Sequence, residues 1–142
     1  MLARKRFLIT VSLAGFTLLP LIATAADSSG SLAARENNEG QVTVKVTPEN
    51  LADGEAPWRF AVQLNTHVSP LTQDLEAVSV LSDGQGHQEP PLSWQGDPPG
   101  GHHRRGTLIF KPIRPQPDSV TLKIRQVGSV PERAFTWELT GR

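Results

Sequence analysis

The sequence predicts an all-β domain made of two packed sheets. Apolar and polar residues alternate in several short segments, and glycine and proline cluster between these segments. No segment has the length and the 3.6-residue apolar period of a long helix. Seven short strands without a helical layer favour two sheets that bury their apolar faces against each other. The expected architecture is a single β-sandwich of about seven strands.

The first 25 residues have the order of an export signal. Residues 4–6 are basic, residues 7–22 are almost wholly apolar, and Ala23 and Ala25 fit a cleavage site that needs small side chains. We therefore expect a signal peptide at 1–25 and a mature protein of 142 − 25 = 117 residues. The expected location is periplasmic or secreted, with no stable membrane anchor after cleavage.

The composition excludes several kinds of function. The chain has no Cys and no Tyr, and Met1 is its one methionine. Blue-copper, cysteine-zinc and iron–sulfur sites are therefore excluded, because they need sulfur ligands. The chain has 14 basic and 14 acidic residues, and three of the basic residues lie in the signal. The net charge of the mature protein is therefore 11 − 14 = −3. This net charge argues against a nucleic-acid partner.

The rest of the chain divides into a leader and a domain. Residues 26–40 are polar and show no sustained periodicity of apolar residues, which predicts a flexible leader. The sandwich domain is expected at 41–142. A crossover or a short 3₁₀ turn is expected at 70–76. Strands are predicted, in order, at 42–47, 58–65, 77–81, 92–94, 107–111, 120–125 and 134–139.

Aromatic side chains are predicted to form much of the core. Trp58 and Phe60 flank the polar Arg59, so both rings fall on one face of the second strand. Phe135 and Trp137 have the same spacing in the last strand. We expect these faces to point inward.

The segment 95–106 (QGDPPGGHHRRG) is the most unusual part of the chain. It places His102 and His103 side by side between two predicted strands, and His67 lies at the end of another strand. The glycines of the segment allow positive φ angles and close approach of other atoms. A loop of this kind lies at one end of a sandwich and faces solvent, so function is sought here first.

One interpretation of this loop is a metal site. His67, His102 and His103, joined by a carboxylate such as Asp74 or Asp97, would supply the nitrogen and oxygen ligands that suit Zn²⁺, Cu²⁺ or Ni²⁺ when sulfur is absent. The spacing matches no established metal motif, because it lacks the H-x-x-H and H-E-x-x-H patterns.

Two other interpretations of the loop stay open. Arg104, Arg105 and Trp94 would form a surface for an anion or a protein partner, because guanidinium groups bind phosphate and carboxylate well. Alternatively, the loop is only a long hairpin connection, in which one of the two arginines pairs with Asp97.

Catalysis finds little support in the sequence. The chain contains no G-x-S-x-G motif, no H-E-x-x-H motif, no phosphate-binding loop and no dinucleotide fingerprint. We predict no catalytic residue. The expected function is a non-enzymatic binding or accessory domain whose ligand is a divalent metal ion or a protein partner.

The polar leader, the alternating strands, the segment Asn65-Thr66-His67 and the residues from Trp94 to Gly106 allow a comparison. Together they resemble small exported bacterial domains of the immunoglobulin-like, fibronectin-type class that have no assigned activity. The resemblance covers about the last 100 residues and concerns architecture. It implies an immunoglobulin-like sandwich and no particular binding residue.

Overall fold

The structure is a computed structural model that describes residues 32–52 and 54–140. The predicted signal peptide at 1–25 and the first part of the leader lie outside these residues. The described part contains no helix that is long and apolar enough to cross a membrane. Its elements, in chain order, are β1 (Arg35–Glu39), β2 (Val42–Asn50), β3 (Trp58–Thr66), α1 (Leu75–Val78), β4 (Ser79–Ser82), β5 (Gln88–Glu89), β6 (Pro91–Gly96), β7 (His103–Phe110), β8 (Ser119–Val127) and β9 (Val130–Glu138).

The strands form two sheets in which all neighbours are antiparallel. The first sheet has the order β1-β2-β3-β7-β6, and the second has the order β5-β4-β8-β9. The prediction of an all-β domain with two sheets is therefore confirmed, and the arrangement is consistent with a β-sandwich.

The core lies between the two sheets. It is formed by the strand faces that the apolar alternation predicted to point inward. Trp58 and Phe60 are fully buried, whereas Arg59 between them is partly exposed. The ring of Phe60 meets Phe110 of its own sheet edge-on at a centroid distance of 5.7 Å. The same ring meets Trp137 of the other sheet at 5.4 Å. Phe60 therefore joins the two sheets at the centre of the core.

The described residues form nine strands instead of about seven. One added strand is β1, which occupies Arg35–Glu39 within the predicted leader at 26–40. This strand shows no alternation of apolar and polar residues. It is a polar strand at the edge of the sheet, and its backbone pairs with β2. Gly40 and Gln41, with φ angles of 54° and 60°, form the tight turn that makes this pairing possible. The other added strand, β5, has only two residues.

The predicted 95–106 loop is shorter than expected. Strand β6 continues to Gly96 and β7 begins at His103, so the connection is only 97–102. Gly106 pairs with Gly96 inside this hairpin. A Cβ atom on Gly106 would lie 2.7 Å from Cζ2 of Trp94. This glycine therefore makes room for an indole ring and does not provide loop flexibility.

The connection predicted at 70–76 contains the start of a short helix. Asp74 begins it as N-cap, because its Oδ1 accepts hydrogen bonds from the backbone N–H groups of Glu76 and Ala77. The helix α1 extends to Val78, so the strand predicted at 77–81 begins two residues later, at Ser79.

Arg133 is a buried charge that ties β1 to the second sheet. It is 1% exposed and occupies the inward phase of β9. Its guanidinium donates to Oδ1 of Asn37 at 2.7 Å, to the carbonyl of Glu39 at 2.7 Å and to the carbonyl of Val127. Burial lowers the pKa of Arg133, and the carboxylate of Glu39 acts against that shift.

Candidate functional site

Four chain connections meet at one end of the molecule, which we call the loop end. They are the β1–β2 turn at 40–41, the segment 67–74 that follows β3, the β6–β7 loop at 97–102 and the β8–β9 turn at 128–129. The hairpin registers place them together, because the last residue of β3 lies opposite the first residue of β2. The first residue of β7 lies opposite Asn65, which is next to the end of β3.

Arg104 holds two of these connections in place. Its side chain points inward from β7 and is 2% exposed. Nη1 donates to the carbonyl of Gln73 at 2.7 Å and to that of Leu71 at 3.2 Å. Nη2 donates to the carbonyl of Asp97 at 3.2 Å. One guanidinium therefore joins the 67–74 segment to the 97–102 loop.

Backbone hydrogen bonds reinforce this connection. The N–H of Leu71 donates to the carbonyl of Gly101 at 2.8 Å, and the N–H of Gly100 donates to the carbonyl of Leu71 at 2.7 Å. Burial lowers the pKa of Arg104, while the carboxylates of Asp97 and Asp74 act in the opposite direction. These two connections are therefore fixed by paired backbone groups and one buried cation.

The three residues predicted to bind an anion or a partner are placed differently from one another. Arg104 does not lie at the surface, since strand alternation from His103 turns its side chain into the interior. The ring of Trp94 packs against the core, lies 5.8 Å from the Arg104 guanidinium and donates through Nε1 to the carbonyl of Asp97. Only Arg105 is exposed.

His67 and His103 lie together on the outer face of the first sheet. Their ring centroids are 6.1 Å apart and the ring planes meet at 79°. His103 lies directly opposite Asn65 in the β3–β7 ladder, and His67 follows Asn65 by two residues. Thr66, between Asn65 and His67, is buried, so its two neighbours point outward.

Asn65 fixes the orientation of the His103 ring. Its Oδ1 lies 2.8 Å from Nδ1 of His103. An amide oxygen only accepts hydrogen bonds, so Nδ1 is the donor in this contact; in the neutral ring the lone pair is then on Nε2. Metal-binding histidines are usually held in the same way, with one ring nitrogen donating to a neighbouring acceptor and the other facing the metal. Asn65 was not among the predicted site residues, although its outward phase in β3 beside His67 is visible in the sequence.

The other two predicted metal ligands do not join this pair. Asp74 caps helix α1. His102 is exposed in the 97–102 loop, and its carbonyl accepts the N–H of Thr66 at 2.9 Å. Over 32–52 and 54–140, no group of three or more histidine, cysteine or acidic side chains is placed to hold a metal ion. Of the four predicted ligand residues, only His67 and His103 are shown close to each other.

A cleft of about 560 Å³ opens at the loop end between the two sheets. Its wall includes Val42 and Thr66 of the first sheet, Gly128 of the β8–β9 turn, and Val68 and Gln73 of the segment that follows β3. Val68 is 58% exposed. Thr66 and Val68, which flank His67 in the chain, line the cleft, whereas His67 and His103 do not.

Comparisons with protein-family models, with curated proteins and with solved structures gave no match for this chain.

Proposed function

We propose that the chain is an exported, non-enzymatic domain that binds a divalent metal ion of the zinc or copper class through His67 and His103. The observation that carries the proposal is the contact of the two imidazoles on one exposed face, with Asn65 holding His103. Neutral imidazole nitrogen is a preferred ligand of both metals.

The separation of the two rings can be compared with that of two imidazoles on one ion. A metal bound to imidazole lies about 2 Å from the nitrogen and so roughly 3 Å from the ring centroid. Two rings on one ion then have centroids roughly 4.5 to 6 Å apart, depending on the angle at the metal. The observed 6.1 Å lies just above this range. The exposed His67 side chain would have to rotate toward His103 for both rings to bind one ion.

The first prediction concerns binding to the untagged protein. Zn²⁺ or Cu²⁺ should bind at about one equivalent near neutral pH, and metal at about 100 times Kd should add roughly 2.7 kcal/mol to the free energy of unfolding. His67→Ala and His103→Ala should each remove most of the heat of binding and most of the rise in melting temperature. Acidification should weaken binding, because a protonated imidazole has no lone pair to donate.

The controls for this titration are the other two histidines. His87 contacts Glu89 in a separate turn, so His87→Ala should leave binding intact. His102→Ala should have a minor effect, since that side chain is not part of the pair. Calorimetry without heat and melts without a shift would contradict the proposal, as would binding that survives both substitutions in the pair.

The strand order supports an immunoglobulin-like topology for this domain. In that class the first, second, fifth and fourth strands share one sheet, and the third, sixth and seventh share the other. Without β1 and β5, the order here is β2-β3-β7-β6 in one sheet and β4-β8-β9 in the other, which is the same pattern. The extra β5 pairs with β4, where variable-type domains also add strands.

Export is the second prediction. In the first 26 residues, basic residues are followed by an apolar stretch and then by small residues. This order predicts cleavage to a mature protein that begins at Ala26 or Asp27. Intact-mass measurement of the protein recovered from outside the cytoplasm should give the mass of one of these two forms. Recovery of the full-length chain in the membrane fraction would contradict the expectation.

A protein partner at the loop end is the second candidate function. The observation that favours it is the exposed Val68 at the rim of the cleft, next to loops held in place by Arg104. Fixed loops lose little conformational freedom on binding, which favours recognition. A folded protein that gives no metal response would make this the better explanation of the loop end.

A further inference from the structure

We propose that β9 is a dimerisation strand, whose free edge pairs in antiparallel orientation with β9 of a second copy of this chain. The two-fold axis of the dimer passes through Thr136. The second sheets of the two copies then join into one continuous sheet. This inference is independent of the proposed metal binding.

Strand β9 is the longest of the four strands that lie at the edge of a sheet. It has nine residues, whereas β1, β5 and β6 have five, two and six. Strand β6 is also covered, because Oε1 of Glu76 in α1 accepts the backbone N–H of Trp94 at 2.7 Å. Within 32–52 and 54–140, β9 pairs with β8 alone. A long edge strand with unpaired backbone groups is a place where a sheet adds another strand.

The backbone groups that β9 leaves free belong to alternate residues. The N–H of Leu139 donates to the carbonyl of Asp118, next to β8, at 2.7 Å. The odd-numbered residues of β9 therefore direct their N–H and C=O groups toward β8, and the even-numbered residues direct theirs to the free edge. This edge runs from Glu132 through Ala134, Thr136 and Glu138 toward Thr140. Thr136 is the middle of the row.

A two-fold axis at Thr136 uses the whole row and places matching side chains together. It sets Thr136 opposite Thr136 of the second copy, and Glu132 opposite Thr140. Within one chain, Oγ1 of Thr136 already lies 2.8 Å from Oγ1 of Thr121 on β8. The dimer extends this threonine pair into a row that spans both copies. Threonine pairs on facing strands stabilise antiparallel sheets.

Charge complementarity favours the same register. Lys123 and Arg125 share one carboxylate, that of Glu132, at 3.5 and 3.1 Å, so positive charge is in excess there. The axis at Thr136 sets the exposed Glu138 of the second copy opposite Ala134, which itself lies opposite Lys123. The backbones of Lys123 and Glu138 are then two strand spacings apart, roughly 10 Å, and their long side chains meet over the small Ala134. An axis at Phe135 would instead set Glu132 against Glu138, which is unfavourable.

The leader of the same chain is a poorer occupant of this edge. Nε1 of Trp137 donates to the carbonyl of Ala33 at 2.8 Å, so the chain enters β1 beside β9. The expected mature leader before Leu32 has the sequence ADSSGS (26–31). Gly and Asp are depleted in strands, and this segment has no β-branched or aromatic residue. A second copy of β9 supplies both the strand-forming residues and the complementary charge.

The test is amide hydrogen exchange of the untagged protein, observed by NMR over a range of protein concentrations, together with sedimentation equilibrium. We expect a dimer, and we expect the amides of Ala134, Thr136 and Glu138 to become protected as the dimer forms. The amides of Phe135 and Trp137 should be protected at every concentration, because they pair with β8. This alternation distinguishes pairing through the β9 edge from association through another face.

Charge reversal tests the register. Glu138→Lys should weaken dimerisation by about tenfold or more, since it places a lysine beside Lys123 of the second copy. The double variant Glu138→Lys with Lys123→Glu should restore most of the affinity, because it exchanges the two charges. Glu55→Lys is the matched control, since it makes the same change of charge at an exposed residue between β2 and β3. It should leave the dimer unchanged.

A protein that stays monomeric at every concentration would overturn the inference. A dimer in which Ala134 and Thr136 exchange rapidly would also overturn it, because the contact would lie on another face. Protection of these amides that does not change with concentration would mean that the leader covers the edge, and the inference would be wrong. Equal dimerisation of Glu138→Lys and the parent protein would overturn the register at Thr136.

Discussion

Replacement of Arg104 by alanine is expected to lower the free energy of unfolding by about 3 to 5 kcal/mol. The guanidinium is 2% exposed and donates to the carbonyls of Leu71, Gln73 and Asp97. Its removal leaves the carbonyl of Gln73 without its donor, while the carbonyls of Leu71 and Asp97 keep only their other hydrogen bonds, from Gly100 N–H and Trp94 Nε1. It also opens a space beneath Trp94. Urea denaturation monitored by circular dichroism measures the loss.

The neighbouring arginine is the matched control for this substitution. Arg105 is exposed, and its contact in the loop is through its backbone N–H, which donates to Oδ2 of Asp97 and which alanine keeps. Arg105→Ala should therefore stay within about 0.5 kcal/mol of the parent protein. Hydrogen exchange at the amides of Leu71 and Gly100 should accelerate in Arg104→Ala alone. Equal stability of the two variants would show that the buried guanidinium does not hold the loop end.

Phe60→Ala is the second substitution with a large expected effect, a loss of about 3 to 5 kcal/mol. The ring is fully buried and contacts Phe110 in its own sheet and Trp137 in the other, so its loss creates a cavity between the sheets. Trp58→Ala should cost a similar amount, because that indole is also buried and donates through Nε1 to the carbonyl of Ala52.

The control lies between these two residues. Arg59 belongs to the same strand, points to the other face and forms a partly exposed ion pair with Glu49. Exposed pairs of this kind contribute about 0 to 1 kcal/mol, so Arg59→Ala should be nearly neutral in the same urea titration. A large loss at Arg59 together with a small loss at Phe60 would mean that the faces of β3 are reversed.

The sequence was sufficient to predict the parts of the fold that depend on apolar alternation. The inward faces of β3 and β9 are marked by Trp58, Phe60, Phe135 and Trp137, and all four side chains are buried. Strand β1 could not be predicted in this way. Its residues bury little apolar surface, and its position depends on a tight turn and on Arg133, which is distant in the sequence.

The candidate site was only partly predictable for a related reason. Proximity of His67 and His103 depends on the β3–β7 register, which the sequence alone does not specify. Arg104 was expected at the surface because it was placed in a loop that faces solvent. Its spacing from Leu108 and Phe110 nevertheless matches the inward phase of β7. Extension of that alternation through Gly106 would have placed the guanidinium inside.

The most direct test of the metal site is an NMR titration that observes all four imidazoles at once. Long-range proton–nitrogen correlation spectra of the full chain would be recorded at neutral pH while Zn²⁺ is added. Before addition, His103 should carry its proton on Nδ1, as its contact with Asn65 requires. With zinc, the ring nitrogens of His67 and His103 should shift together, and those of His87 and His102 should stay in place. Unchanged resonances for the pair, or shifts confined to the other two histidines, would contradict the account.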